Sequence, residues 1–491
     1  MNHLLQRYSK YLLVVALLYF PIFGHLDILP IRIWDEARLA NNAYEMANNN
    51  DFVVTHFGGK PDMWNTKPPL MIWIQASLMK MMGVNEVSVR LPSAIAAFIT
   101  CIALLAFALW YLKDFWFGFI SVLVLVTTTG YISIHGSRTG DYDTLLTLFT
   151  TLSGFSFFAY CESAKRNHLY WFFAFTILAV LTKGVNGLLF LPGFILYSVV
   201  QKQFVPLLKN KHFYMGIFSF IVLVGGYYLL RELNNPGYLK AVYNNELGGR
   251  YLQPLEGNRH EFWFYYDNII NSRYVAWYLL VPCGLIVGLA AVDKKIFRLA
   301  LFSGLMIFTL FLVISAGQTK LEWYDIPLYP FMAVLVALFI HFIFNLLKNW
   351  TLINQSLRVN VLPYLFVFII AVIPYKAIIN TTYKPKESAW DQQFYEIGYY
   401  LRDAIKGIHP VNGQFLVYDG YSAQNMFYLN ILNDKGTPIA LKNPDKLETG
   451  DVVIVCQDKM KEYVASHYKI SQISQFNNIF TYQIVDHIGK N

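Results

Sequence analysis

Apolar stretches of bilayer length recur along most of this chain, and they limit its fold more than any other feature. A spanning helix needs about 20 mostly apolar residues to cross a hydrocarbon core roughly 30 Å thick. Such stretches fall near residues 11–29, 92–112, 116–134, 144–161, 169–182, 185–200, 213–230, 274–292, 299–316, 326–346 and 360–378. Eleven spans are therefore predicted, with room for thirteen, because 68–82 and 115–140 can each hold a further short or re-entrant helix. The segment 11–29 has no small-residue cleavage site and contains Pro21 and His25, so it reads as a span and not as a signal peptide. Composition agrees: 14% of the 491 residues are charged, against about 25% in soluble proteins. Too few charges remain to cover a soluble globule, and a disordered chain or a coiled coil is excluded.

The loops give an orientation. Arg7 and Lys10 mark the first terminus as cytoplasmic. Every second loop is then basic, through Lys113, Lys165 and Arg166, Lys202, Lys209 and Lys211, Lys294, Lys295 and Arg298, to Lys348 and Arg358. The net charge of +8 is thus mostly a topology signal. It is scattered among loops and forms no patch for nucleic acid. A transmembrane domain over 1–379 is expected, with outer segments 30–91, 135–143, 231–273 and 317–325. Residues 380–491 read as a small α/β domain outside the cytoplasm. Its expected order is helix (388–406), strand (415–418), helix (422–432), strand (438–441), strand (452–456), helix (458–468), then strands to 485. Cys101, Cys161, Cys283 and Cys456 offer neither a disulfide framework nor metal-ligand spacing.

Charge near a membrane is costly unless paired or used, and five polar clusters stand on the predicted outer face. Asp35 and Glu36 follow Trp34, with Arg38 in reach of Asp35 at i,i+3; the pair is either a general base or a solvated loop start. Lys67 precedes Pro68 and Pro69, which fix an extended entry to the next helix and hold the lysine at the membrane edge. It either meets a phosphate there or snorkels at the interface. Arg138, Asp141 and Asp143 crowd into six residues, where Asp143 either caps the following helix or takes part in the chemistry. The long loop carries Glu246, Arg250 and His260, of which Glu246 and His260 alone are too few ligands for a metal site. Lys320 and Tyr324, four apart, can both donate hydrogen bonds to a phosphate oxygen, or belong to an interfacial aromatic belt.

The ordered set carries a resemblance. Trp34-Asp35-Glu36-Ala37-Arg38, Lys67-Pro68-Pro69-Leu70, Trp73, Glu86 and Arg90-Leu91-Pro92-Ser93 come first. Ser137-Arg138, Asp143, Leu181-Thr182-Lys183-Gly184, Gly187, Glu246, Arg250, Lys320, Tyr324 and Pro327 follow. Together they resemble bacterial lipid-linked sugar transferases of the glycosyltransferase C superfamily, a group that includes the lipid A aminoarabinose transferase and the protein O-mannosyltransferases. The resemblance covers most of residues 30–330. It implies an inner-membrane enzyme with its site and α/β domain on the periplasmic side. The donor is a sugar on a polyprenyl phosphate, and the acceptor is lipid A, another glycolipid, a glycan or a protein.

By the same resemblance, Asp35 is the expected base, Asp143 a second acid and Glu36 a helper in either role. Lys67, Arg38, Lys320, Tyr324 and Arg138 are expected at the donor phosphate. Glu246, Arg250 and His260 are expected at the acceptor or loop site. Aminoarabinose transferases carry a metal-binding Glu before the Lys-Pro-Pro; here that position is Thr66. No cofactor is therefore certain, and a divalent metal, with His260 as one ligand, stays open. One acid and no protonation of the anionic leaving group suit an inverting transfer. A flippase for lipid-linked sugars is the alternative. It would place charge near the bilayer midplane, where this chain has little. A non-catalytic scaffold leaves Asp35, Asp143 and Lys320 without a reason.

Overall fold

A computed structural model describes residues 2–249, 251, 257–350, 360–384 and 389–488. Arg250 and Arg358 lie outside them.

Among these residues, seven helices are long and apolar enough to cross a membrane: Glu86–Tyr111, Tyr142–Ser163, Arg166–Leu188, Lys211–Asn234, Lys294–Ala316, Glu322–Lys348 and Leu362–Tyr383. Five shorter apolar helices join them: Ser9–Phe23, Leu70–Met82, Phe115–Val126, Leu191–Val200 and Leu280–Leu289. The chain is thus a multi-pass helical membrane protein with a C-terminal α/β domain. Each expected stretch contains a helix, but several are shorter than the apolar run around them. The run 116–134 is helical only to Val126. Thr127 and Thr128 turn their hydroxyls back onto the carbonyls of Leu123 and Val124, and the chain continues to residue 141 as turns. Other boundaries follow caps. Asn85 and Ser88 form a reciprocal capping box at the start of Glu86–Tyr111, and Asp114 accepts from Phe117 N at the start of Phe115–Val126.

Between the shorter apolar helices Ser9–Phe23 and Leu70–Met82 the chain forms an amphipathic helix, Asp35–Asn49, and a short hairpin of β1 (His56–Phe57) and β2 (Lys60–Pro61). The α/β domain has a five-stranded sheet: β3 (Gln414–Val417), β4 (Ile439–Leu441), β5 (Val452–Val455), β6 (Tyr468–Phe476) and β7 (Ile479–His487). Their order is β4-β3-β5-β7-β6. The β3 pairings to β4 and β5 are parallel, and those of β7 to β5 and β6 are antiparallel. Helices Ala389–Ile405, Ala423–Asp434 and Asp458–His467 complete the domain. Strand side chains alternate between faces. Val417, Val453 and Val455 pack with Met460 and Val464, whereas Leu416 and Ile454 share one buried cluster with Ala37, Leu39, Met71 and Phe427. The α/β domain and the helix carrying Asp35 therefore share one hydrophobic core, which fixes that helix against the sheet.

Candidate functional site

A narrow polar cleft opens at the N-terminus of helix Asp35–Asn49. Asp35, Arg38, Trp64, Asn65, Lys67, Asp141, Tyr142, Asp143, Lys183, Trp323 and Tyr324 line it. It continues past Lys183 and Tyr324 into a pocket walled by Leu146, Leu189, Phe190 and Leu310. Polar groups thus give way to an apolar wall of membrane-spanning helices.

The two adjacent acids have opposite fates. Asp35 is exposed and makes no hydrogen bond or ion pair among the described residues. Glu36 is buried and saturated. It accepts from Arg90 Nε at 2.7 Å and Nη2 at 3.0 Å, from Arg32 N at 2.8 Å and from Gly140 N at 2.9 Å. Any Cβ at Gly140 would meet Val89 Cγ1 at 2.5 Å, so only glycine lets that backbone approach. Glu36 is a clamp holding three segments together, and the expectation that it shares the acid's role is corrected: no lone pair faces the cleft.

Two of the expected phosphate ligands are likewise occupied. Arg38 does not pair with Asp35; it forks onto Asp62, with Nε–Oδ2 2.8 Å and Nη2–Oδ1 2.6 Å. Burial would raise the Asp62 carboxyl, but the Arg38 guanidinium outweighs it and holds the pKa below the usual range. Arg138 donates to the carbonyls of Pro21, Ile22, Gly24 and His25, capping the C-terminal end of the first helix. It is absent from the cleft lining. Arg138 is thus corrected out of the donor-phosphate set, whereas Arg38 stays in the cleft lining with its guanidinium held by Asp62.

Lys67 and Tyr324 do face the cleft. Lys67 Nζ lies 3.4 Å from Glu246 Oε1, and Thr66 Oγ1 donates to the same oxygen at 3.3 Å. Lys320 faces a neighbouring cavity with Arg259, His260 and Gln318, where its Nζ donates to the carbonyls of His260 and Gly317. Burial lowers its pKa, and Arg259 adds to the effect. His260 stacks on Phe264, with ring centroids 4.1 Å apart. Asp143 is not a cap. It stands inside the first turn of Tyr142–Ser163, where Asp141 holds the N-cap position, and pairs with Lys183 Nζ at 2.5 Å.

The sequence assigns no role of their own to three residues of the cleft region: Lys183, Asp141 and His135. Lys183 was legible as a lysine in an apolar span, which needs a partner. His135 and Asp141 had no such signal. The structure gathers ligand atoms of Asp35, His135 and Asp141 within 4.8 Å of one another. Two carboxylates and an imidazole suit a divalent metal. Buried Asp141 Oδ1 has no hydrogen-bond partner among the described residues, which fits such an ion, whereas His135 Nδ1 lies 3.1 Å from Asp141 Oδ2. Arg32 works against it: its Nη1 lies 3.0 Å from His135 Nε2. A guanidinium only donates, so Nε2 must accept and the ring proton sits on Nδ1. Ligation through Nδ1 thus requires Arg32 to turn away. Burial would raise the Asp141 pKa, and His135 more than reverses this.

The fold and this cleft define a class: the chain is a polytopic helical membrane protein with a polar cleft at one end of its bundle and a C-terminal α/β domain. Within that class its similarity runs to polyprenyl-phosphate-sugar transferases. The sequence model of the dolichyl-phosphate-mannose-protein mannosyltransferase family matches residues 66–228. An uncharacterized protein of Aquifex aeolicus is 27% identical over 69% of this chain and 64% of its own length. An undecaprenyl phosphate-alpha-4-amino-4-deoxy-L-arabinose arabinosyl transferase of Aeromonas salmonicida is 25% identical over 68% of this chain and 60% of its own. The chain thus spans under two thirds of these relatives' length. In fold it matches ArnT from Cupriavidus metallidurans bound to undecaprenyl phosphate, with a TM-score of 0.73 and 14% identity, over 97% of this chain and 98% of that one. The Archaeoglobus fulgidus oligosaccharyltransferase matches more loosely, with a TM-score of 0.52 and 10% identity over 95% of this chain and 70% of that one.

Proposed function

We propose that this protein transfers a sugar from a polyprenyl-phosphate carrier to a hydroxyl or phosphate acceptor, with inversion at the anomeric carbon. The reaction takes place at the periplasmic face of the inner membrane. The observation that carries this reading is the unpaired Asp35 carboxylate at the mouth of a cleft that also holds Lys67 and runs into an apolar wall. A poor hydroxyl nucleophile needs a carboxylate to orient it and take its proton, and Asp35 is placed for that. The leaving phosphate is already anionic and needs positive charge and donors instead of a proton. Lys67 and Tyr324 supply these, while Asp143 pairs with Lys183 beside them. Lys320 and Arg259, in the neighbouring cavity, extend the positive lining. The prenyl chain lies along the apolar wall, and Glu246 steadies Lys67.

Asp35, Asp141 and His135 are the residues that would hold a divalent cation, which supplies charge stabilisation for the departing phosphate. The similarity to aminoarabinose and mannosyl transferases supports the donor class and leaves lipid A, another glycolipid, a glycan and a protein as acceptors. Mass spectrometry of cell-envelope glycolipids and glycoproteins, with and without the gene, identifies sugar and acceptor together. The test of the reaction is transfer of a labelled sugar from polyprenyl phosphate by the purified protein. Asp35→Asn lowers turnover by roughly 10²–10⁴-fold with the fold intact. Near wild-type turnover in that variant overturns the base assignment. Movement of the lipid-linked sugar across liposomes without transfer overturns the enzyme reading in favour of a flippase.

A further inference from the structure

The segment leading into Asp35 is held, residue after residue, by the C-terminal α/β domain. Arg402 donates to the carbonyls of Asp27 at 2.9 Å and Ile28 at 2.8 Å. Gly398 lies so close to Pro30 that an added Cβ would come within 2.8 Å. Ile31 N donates to Tyr428 Oη at 2.7 Å. Arg32 faces Asp391 at 3.6 Å. Tyr421 stacks on the Trp34 indole, with centroids 4.8 Å apart and planes 18° apart, and points its hydroxyl at Trp34 O at 3.4 Å.

These contacts converge on a strained residue. Trp34 has φ +74° and ψ −120°, a region that side-chain-bearing residues rarely enter and that persists only where the surroundings enforce it. Its side chain is half exposed, so burial does not enforce it; the stacking partner is Tyr421. The turn at Trp34 separates Asp35, facing the cleft, from Glu36, facing Arg90. From the other flank, Asp391 aligns Arg32, which reaches His135 beside Asp141.

We propose that the α/β domain is the template of the active-site loop, and that Tyr421 is a positioning residue. By stacking on Trp34 it holds the strained backbone that aims the Asp35 carboxylate into the cleft. The inference rests on the base assignment made above for Asp35. It makes the C-terminal domain part of the catalytic centre, though no residue of that domain lines the cleft.

The test uses the full-length protein in nanodiscs. Tyr421→Ala lowers kcat by roughly 10–100-fold, the scale of a misplaced reacting group, with donor KM unchanged. Tyr421→Phe keeps the stack and restores most of kcat. Asp434→Ala cuts another contact of the same interface, the bond it accepts from Tyr44 Oη at 2.9 Å, and leaves kcat unchanged. Glycine adopts positive φ without strain, so in a Trp34→Gly background Tyr421→Ala adds no further loss. Hydrogen exchange reads the same effect without activity: Tyr421→Ala speeds exchange in residues 31–38 and leaves the spanning helices unchanged.

An unchanged kcat in Tyr421→Ala, beside an inactive Asp35→Asn, overturns this inference alone. Activity in Asp35→Asn overturns the reading beneath it. A loss in acceptor KM only would make Trp34 and Tyr421 an acceptor surface, and equal losses in Tyr421→Ala and Asp434→Ala would make the interface merely structural; either result overturns the positioning role.

Discussion

The two ends of the helical bundle treat their charges differently. At the end bearing residues 111–114, 162 and 298, the acids Asp114 and Glu162 are matched. Glu162 accepts from Arg298 Nη1 at 3.0 Å and from Tyr111 Oη at 3.0 Å. Asp114 caps a helix and meets His341 Nε2 at 3.0 Å. At the cleft end, matched and unmatched groups stand side by side. Glu36 with Arg90, Arg38 with Asp62, and Asp143 with Lys183 form closed pairs. Asp35 makes none, and among the described residues Asp141 Oδ1 is left without a hydrogen bond while its other oxygen meets His135 Nδ1 at 3.1 Å. Buried polar atoms are nearly always satisfied, so an end that leaves such groups open is arranged for something that arrives. The closed pairs there act as the frame, and the open groups are the working set.

The comparison breaks first at the frame. Arg90 is buried and donates to Glu36 and to the carbonyls of Leu26, Leu29 and Pro30. Removing one partner of a buried pair costs about 3–5 kcal/mol. Arg90→Ala is therefore expected to lose most folded protein, read by detergent-exchange gel filtration and thermal unfolding. A normal thermal transition would show that the frame is not what holds the first loop. Next comes the open set. Titration with a divalent cation is expected to show one site that Asp141→Asn removes, and chelation lowers activity until the cation is restored. Full activity in excess chelator would make the cluster a proton-handling one, with His135 serving Asp141 and Arg32 alone.

These contrasts mark what the sequence could and could not reveal. Helix and strand alternation in the tail is local, so its elements form where hydropathy places them, from Ala389–Ile405 to β7. The membrane class followed from run length alone. Helix ends were harder, because Thr127 and Thr128 stop a helix within an apolar run through side-chain bonds that hydropathy does not register. The sorting of Asp35 from Glu36 was not legible. They are adjacent, and one backbone turn at Trp34 decides which of them is buried. Arg38 and Arg138 resembled phosphate ligands because their acceptors, Asp62 and the end of the first helix, are distant in sequence. Lys183 carried a readable signal: a buried lysine in a span needs an acid, and Asp143 supplies it.

Smaller effects sharpen the frame. The depressed Asp62 pKa has a definite linkage sign. Stability from this carboxylate is complete above its unfolded value of about 4 and is lost as pH falls through the lower folded value. Asp62→Asn should remove that part of the acid slope and leave stability nearly flat between pH 7 and 5. A slope unchanged in the variant would mean another carboxylate governs acid unfolding.

The smallest effect is expected at the opposite end. Arg298 is 39% exposed at the side chain and Glu162 12%, and an ion pair open to solvent contributes only about 0–1 kcal/mol. Glu162→Gln keeps the acceptor for Tyr111 and removes the charge. It is expected to shift the thermal transition barely and to leave sugar transfer unchanged. Asp35→Asn, also a one-charge change at a bundle end, is expected to lower transfer by roughly 10²–10⁴-fold with a similarly small thermal shift. If Glu162→Gln instead lowers transfer with the transition unmoved, the opposite end is coupled to the cleft, and matched charge is no sign of a passive region.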